Sequence, residues 1–298
     1  MNSAFVTAAR FCEPVPALLS RDRFTSGLLA LLTVLAAVFF GIQFQSAYPF
    51  QHDFHDGIDS PILATELAGS ASDLRGILNP QYPRYAHPDP ALDVDSSRYF
   101  QLARKRASAS LRINTYEDFV FILLYSLFLW QFGRLFAAGD RRIRKLLGIT
   151  VLLTALFDVM ENIGILRVLN TDLDQEWNRL APYISIPSRI KWTLFGLALL
   201  ITSRILVRSA NPIYSNAARR LLAIGYVWSA ILLWLGIVIH DFSDLIALAV
   251  STFSLLVLVN LIALFGPYVA KWFPGRIPHY VEDFCHRKRE GKADVAVV

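Results

Sequence analysis

The stretch that most restricts the fold is Lys145–Val168, KLLGITVLLTALFDVMENIGILRV. It is long and apolar enough to span a bilayer, yet it holds Asp158, Glu161 and Asn162 inside the run. At ~1.5 Å per residue it covers the ~30 Å hydrocarbon core. Positions 158, 161 and 162 stand at i, i+3 and i+4 and so share one helical face, which Thr154 extends. A carboxylate at bilayer depth costs on the order of 2.5–3.5 kcal/mol on insertion scales. The neighbouring aliphatic residues offset that in sum, but they do not make a lipid-facing acid tolerable. The face is therefore expected to point into a helix bundle or a wet cavity. It reads either as a proton-titrating or substrate-contacting site or as an interhelical hydrogen-bond network. Asn162 alone favours the network, and two acids one turn apart favour the site.

The rest of the chain agrees with a polytopic membrane protein. Hydrophobic residues make up 54% of the 298, and they come in blocks of about twenty. The net charge of +5 would suit nucleic acid, but the basic residues stand at the ends of apolar runs, so no nucleic-acid partner is expected. Two cysteines, Cys12 and Cys285, are too few for a disulfide framework.

In chain order, residues 1–23 form a polar, arginine-bearing lead. The run Phe24–Phe44 is longer than the apolar core of a cleaved signal peptide and reads as a first transmembrane helix. Residues 45–116 form a polar excursion. Within it, SPILATELAGSASDLRGILNP reads as one amphipathic helix, with Ser60 as N-cap, Pro61 in the first turn and Asn79-Pro80 at the end. Ser96–Leu111 reads as a second helix, and the whole insertion as a cap over the bundle. Five further spans follow within 117–264: Asp118–Ala138, Leu146–Leu166, Ile190–Val207, Leu221–Ile239 and Leu245–Leu264. Residues 265–298 form a polar, basic tail. The expected fold is thus all-α, a bundle of six transmembrane helices with a partly helical extracytoplasmic insertion.

Basic residues orient the bundle. The N-terminal lead, 134–145, 204–220 and the tail carry 18 of the 29 lysines and arginines, against 11 in the alternate segments. Short loops decide orientation, and DRRIRK contrasts with HDFSD. Both termini are expected in the cytoplasm of a bacterial cell, with the protein in the inner membrane and 45–116 outside. Arg287, Lys288 and Arg289 in the tail would then touch anionic lipid of the inner leaflet.

That orientation sets relative depths. Tyr125, Ser251 and Thr252 fall in the layer of Asp158 and Glu161. Above them lie Tyr116, Glu117, Asp118, Arg189, Lys191, His240, Asp241 and Asp244. The expectation is a polar pocket open to the outside beneath the cap. Arg189 and Lys191 would serve there as counterions or as plain interfacial anchors, and the two carboxyls would not ionise independently. A second constellation, HDFHDGID at 52–59, offers His52, His55 and Asp56 as metal ligands. Its spacing matches no metalloenzyme motif, and Asp- and Gly-rich turns are ordinary solvated chemistry, so no cofactor is assigned. Walker A, G-x-G-x-x-G, G-x-S-x-G and C-x-x-C motifs are absent.

Three segments, SPILATELAGSASDLRGIL, EDFVFILLYSLFL and FDVMENIGIL, resemble those of a poorly characterised group of bacterial polytopic integral membrane proteins. They cover roughly residues 60–166, and the D-x-x-E-N element at Asp158, Glu161 and Asn162 is the most specific. The resemblance implies a shared bundle and a retained outer helix, and it supplies no activity. Three functional readings stand. The first is a small-molecule or lipid-handling protein with an outward polar site at Asp158 and Glu161, proton-linked transport being one form. The second is a membrane-embedded enzyme acting on an outer-leaflet lipid, with His240 assisting one of the acids. The third is a non-catalytic scaffold whose acids lock the bundle.

Overall fold

A computed structural model describes residues 17–47, 65–68, 70–78, 96–137, 139–171, 174–209, 213–238 and 244–270. Among them the regular structure is entirely helical: α1 (Ala17–Ala47), α2 (Ala71–Leu78), α3 (Ser96–Phe136), α4 (Arg141–Leu169), α5 (Asp174–Leu180), α6 (Pro182–Arg208), α7 (Asn216–Val238) and α8 (Asp244–Ala270). Five helical stretches are long and apolar enough to cross a membrane: Ser108–Phe136, Arg141–Leu169, Glu176–Arg208, Asn216–Val238 and Leu245–Gly266. The chain is therefore a multi-pass helical membrane protein.

The long helices form a closed ring in chain order. α1 packs on α3, α3 on α4, α4 on α6, α6 on α7, α7 on α8, and α8 returns to α1. α4 turns its polar residues inward and much of its large aliphatic surface outward. On α4, Thr150, Thr154, Asp158, Glu161 and Asn162 are buried, whereas Leu146, Ile149, Leu152, Leu156, Met160 and Ile163 are exposed. A soluble protein would not leave such a continuous apolar surface uncovered, and acyl chains cover it without cost.

Backbone chemistry explains how the ring closes. Pro267 has no N–H to offer Ala263, the carbonyl four residues earlier. Arg23 of α1 donates to that carbonyl through Nη2 at 2.9 Å, and to the Leu264 carbonyl through Nε at 3.2 Å. The rings of Phe24 and Phe265 meet beside it at 5.6 Å. The start of α1 thus sits at the end of α8, so the closing pair is antiparallel. At the same end, Asn260 is held three ways. It accepts from the Tyr214 hydroxyl, and its Nδ2 donates to the Tyr226 hydroxyl at 2.8 Å and to the Leu256 carbonyl at 2.6 Å. Burial pushes the Tyr214 phenol up, so that link stays neutral at physiological pH.

Several boundaries differ from the sequence reading. The insertion and the next span are one helix: α3 runs 41 residues without a break, ~60 Å, or about twice the hydrocarbon thickness. The stretch 96–111 contains no proline or glycine to stop it. The single helix expected over 60–78 is interrupted. Residues 65–67 form a helical turn, and α2 restarts after Ser70. Ser70 and Asp73 cap each other's backbone there, with Ser70 N–H to Asp73 Oδ2 at 2.9 Å and Asp73 N–H to Ser70 Oγ at 3.3 Å. Ser60 and Pro61 lie outside the described residues.

α6 begins at Pro182, well before the expected Ile190, and passes through Pro187. Pro187 leaves the Tyr183 carbonyl without its helical N–H. Gly164 of α4 fills the space against it: a Cβ at 164 would lie 2.7 Å from the Tyr183 oxygen. That close approach of α4 to α6 is the kind small residues allow in membrane bundles. Gly164→Val is expected to lower stability by ~1–3 kcal/mol or more, because a fixed carbonyl cannot move aside. Gly139→Ala, in open space, is expected to be neutral. Thermal unfolding of the two detergent-solubilised variants, compared with the parent, checks both.

Candidate functional site

The buried face of α4 does not stand alone, and its partners come from three other parts of the chain. α3 and α4 run antiparallel and are tied at successive levels. Arg112 donates to the Leu169 carbonyl at 3.1 Å, Asp118 Oδ2 accepts from Asn162 Nδ2 at 2.8 Å, and Asp158 Oδ2 accepts from the Tyr125 hydroxyl at 2.9 Å. Asn162 therefore fixes helix packing, and Tyr125 reaches the acid layer predicted for it.

α6 supplies the cation. Lys191 Nζ lies 2.8 Å from Glu161 Oε2, 3.1 Å from Asp158 Oδ1 and 3.3 Å from Glu66 Oε2. Lys191 keeps only 5% of its surface accessible and Glu161 none. The Lys191 ammonium also stands 4.5 Å from the centre of the Trp192 ring. Trp192 Nε1 in turn donates to Glu66 Oε2 at 3.1 Å. Three carboxyl groups from two separate segments thus converge on one enclosed ammonium.

The arrangement explains why such a costly set of charges is tolerated. Any one of these ions alone would pay a large desolvation penalty. Together, opposite charges at ~3 Å attract strongly in a medium that screens poorly. Compensation is nonetheless incomplete. One positive charge faces Glu66, Asp158 and Glu161, and Asp118 stands on the neighbouring rung. Glu161 Oε1 is enclosed without a hydrogen-bond donor among the described residues, as is Ser188 Oγ. Natural interiors rarely leave such atoms unmatched, so each calls for an explanation.

The other residues singled out in the sequence distribute unevenly. Thr154 is buried on the expected face, but its hydroxyl donates back to the Thr150 carbonyl at 2.9 Å. Ser251 is exposed, and Thr252 half-buried; both hydroxyls return to their own helix, at the Ala247 and Leu248 carbonyls. Neither is hydrogen-bonded to the acid cluster. Equal depth does not imply a shared face, and α8 turns these two away from α4. Arg189 is exposed, two residues from Lys191 and so on another side of α6. His240, Asp241, His52, His55, Asp56, Arg287, Lys288, Arg289 and both cysteines lie outside the described residues. Among the described residues no group of three or more His, Cys, Asp or Glu is placed to hold a metal ion.

Glu66 escaped the sequence reading. It is one of many acids in the excursion, and nothing in its spacing links it to a lysine 125 positions on. The available signal was indirect: Lys191 stands in an apolar run and needs an anion. The flanking Thr65, Leu67 and Ala68 are all buried, which an outer loop would not require.

Lys191→Met is expected to cost ~3–5 kcal/mol, the usual penalty for leaving buried charge without its partner. Adding Glu161→Gln should recover part of that loss, because it removes one uncompensated carboxylate. Unfolding midpoints of the single and double variants in one detergent test the coupling. No family model, curated protein or solved structure matches this chain.

Proposed function

We propose that this is a bacterial inner-membrane protein of six transmembrane helices that handles a small molecule or lipid at the Lys191–Asp158–Glu161–Glu66 site, in step with proton binding. The observation that carries the reading is the convergence of three carboxyls on one buried ammonium. A purely structural lock is best made with matched charges. Here one ammonium faces three carboxyls, an imbalance that a proton on Glu161 reduces. Enclosure of ionisable groups at bilayer depth is the usual mark of a substrate or proton pathway.

Two further observations support the assumed topology. α1 contains the apolar run Phe24–Phe44 and packs in the ring on both α3 and α8. An up-and-down ring closed by an antiparallel pair requires an even number of members, so α1 is taken as the sixth span. The helix ends near Arg23, Arg134, Arg141, Arg142, Arg208 and Arg219 gather at one end of the bundle, which is assigned to the cytoplasm. The Glu66 segment and α2 are then outside, and the site lies beneath them.

A second reading, a non-catalytic scaffold, is favoured by the complete enclosure of Glu161 and by the Asn162–Asp118 tie. The two separate on proton exchange. Under the first reading, raising the pH of the purified protein removes protonated-carboxyl absorption in infrared difference spectra, and Glu161→Gln or Asp158→Asn diminishes that change while the protein stays monodisperse. A scaffold would show no titrating carboxyl, and both variants would fail to assemble.

A further inference from the structure

Glu66 differs from the other partners of Lys191 in how it is carried. Asp158 and Glu161 belong to a 29-residue helix, and Lys191 to one of 27 residues. Glu66 lies in the segment between α1 and α2, where the described residues 65–67 are helical and Ala68 is not, and it belongs to none of the long helices. It can therefore leave the site without disturbing a span. Two donors meet on a single oxygen of this carboxylate, Lys191 Nζ at 3.3 Å and Trp192 Nε1 at 3.1 Å. An aromatic wall continues from there into the bundle. Trp192 meets Phe195 at 6.2 Å between ring centres, Phe195 meets Tyr125 at 5.7 Å, and Phe195 meets Phe253 at 5.0 Å. Beside the same ammonium, Glu161 Oε1 is enclosed and meets no donor among the described residues. Ser188, one turn before Lys191 on α6, is fully buried with its hydroxyl likewise unmatched.

We propose that this place takes a monocarboxylate with an apolar body: its carboxylate replaces that of Glu66 between Lys191 and Trp192, its body lies along the aromatic wall, and Glu66 is an internal occupant that withdraws. Before any change of protonation the exchange is one carboxylate for another, so the groups that hold Glu66 can hold the ligand. A proton on Glu161 turns its unmatched oxygen into a donor for the incoming carboxylate. Binding is therefore accompanied by proton uptake and strengthens as pH falls. The other groups facing this position are Asp118 and Tyr125 from α3, Asp158 from α4 and Lys191 from α6; they set the pH range together. The proposal rests on the reading of the cluster as a proton- and ligand-binding site, and it names the ligand class.

The test is calorimetric titration of benzoate into the full-length, detergent-solubilised protein, with benzamide and benzylamine as neutral and cationic counterparts. Wild-type protein is expected to bind benzoate weakly and benzamide not at all. Glu66→Ala removes the internal competitor and should tighten benzoate about tenfold or more, as expected when a closed form occupied most of the time is eliminated. Lys191→Met should abolish binding. Should Lys191→Met fail to fold, Trp192→Phe keeps the ring, loses one donor, and should weaken benzoate several-fold. Equal affinity for benzamide, preference for benzylamine, or an unchanged affinity in Glu66→Ala overturns the proposal. Infrared titration of the same samples separates the two levels. A titrating carboxyl without benzoate binding overturns the ligand class alone, whereas absence of both overturns the proton-binding reading as well.

Discussion

One ammonium group holds the polar interior of this protein together. Lys191 is the sole cation among the described residues that is paired with Glu66, Asp158 and Glu161. Without it, three carboxyls would face one another in an interior almost closed to water. Attraction to a shared centre offsets their mutual repulsion, because each has an oxygen about 3 Å from the same nitrogen. The geometry also joins parts of the chain that no continuous helix connects. α6 brings the lysine, α4 brings two acids, and the segment before α2 brings the third. Packing of the cap onto the bundle is in this sense an electrostatic event.

The helices are prepared for this meeting by backbone chemistry more than by side-chain volume. Pro187 interrupts the hydrogen-bond ladder of α6 near its start, and Gly164 lets α4 come close to the carbonyl left over. The two helices carrying the site are thereby held at short range one turn from Glu161. Pro267 has a matching effect at the other end of the bundle, where the freed Ala263 carbonyl is taken up by Arg23. In a solvent without hydrogen-bonding capacity, each missing N–H has to be answered within the protein. At Ala263 the answer comes from Arg23 of another helix, so the hydrogen bond doubles as a helix–helix contact.

Two polar sets among the described residues differ in character. Tyr214, Asn260 and Tyr226 form a matched, neutral set: every polar group of the Asn260 side chain has a partner. Such a set gives rigidity and has no reason to change state. The Lys191 cluster is unmatched in charge and leaves one oxygen of Glu161 without a donor. Satisfied networks specify structure, whereas partly satisfied ones hold free energy that a proton or a ligand can release. The contrast within one molecule is the reason for assigning structure to the first and function to the second.

Membrane class, the positions of most spans and the inward face of α4 were legible in the sequence because they follow from local periodicity. An apolar run of known length has one use in a bilayer, and residues at i, i+3 and i+4 share a side in any helix. Local rules also foresaw Lys191 as a candidate counterion and Tyr125 in the acid layer. They misjudged Ser251 and Thr252, since depth along a helix says nothing about rotation around it. They were blind to Glu66 and to the unbroken length of α3. Which outer acid descends to the lysine depends on how a cap folds back over the ring, and that choice is made by contacts between residues more than a hundred positions apart. The sequence determined that a charge cluster had to be sheltered; only the tertiary structure decided what shelters it, because Coulomb attraction acts through space and leaves no period along the chain.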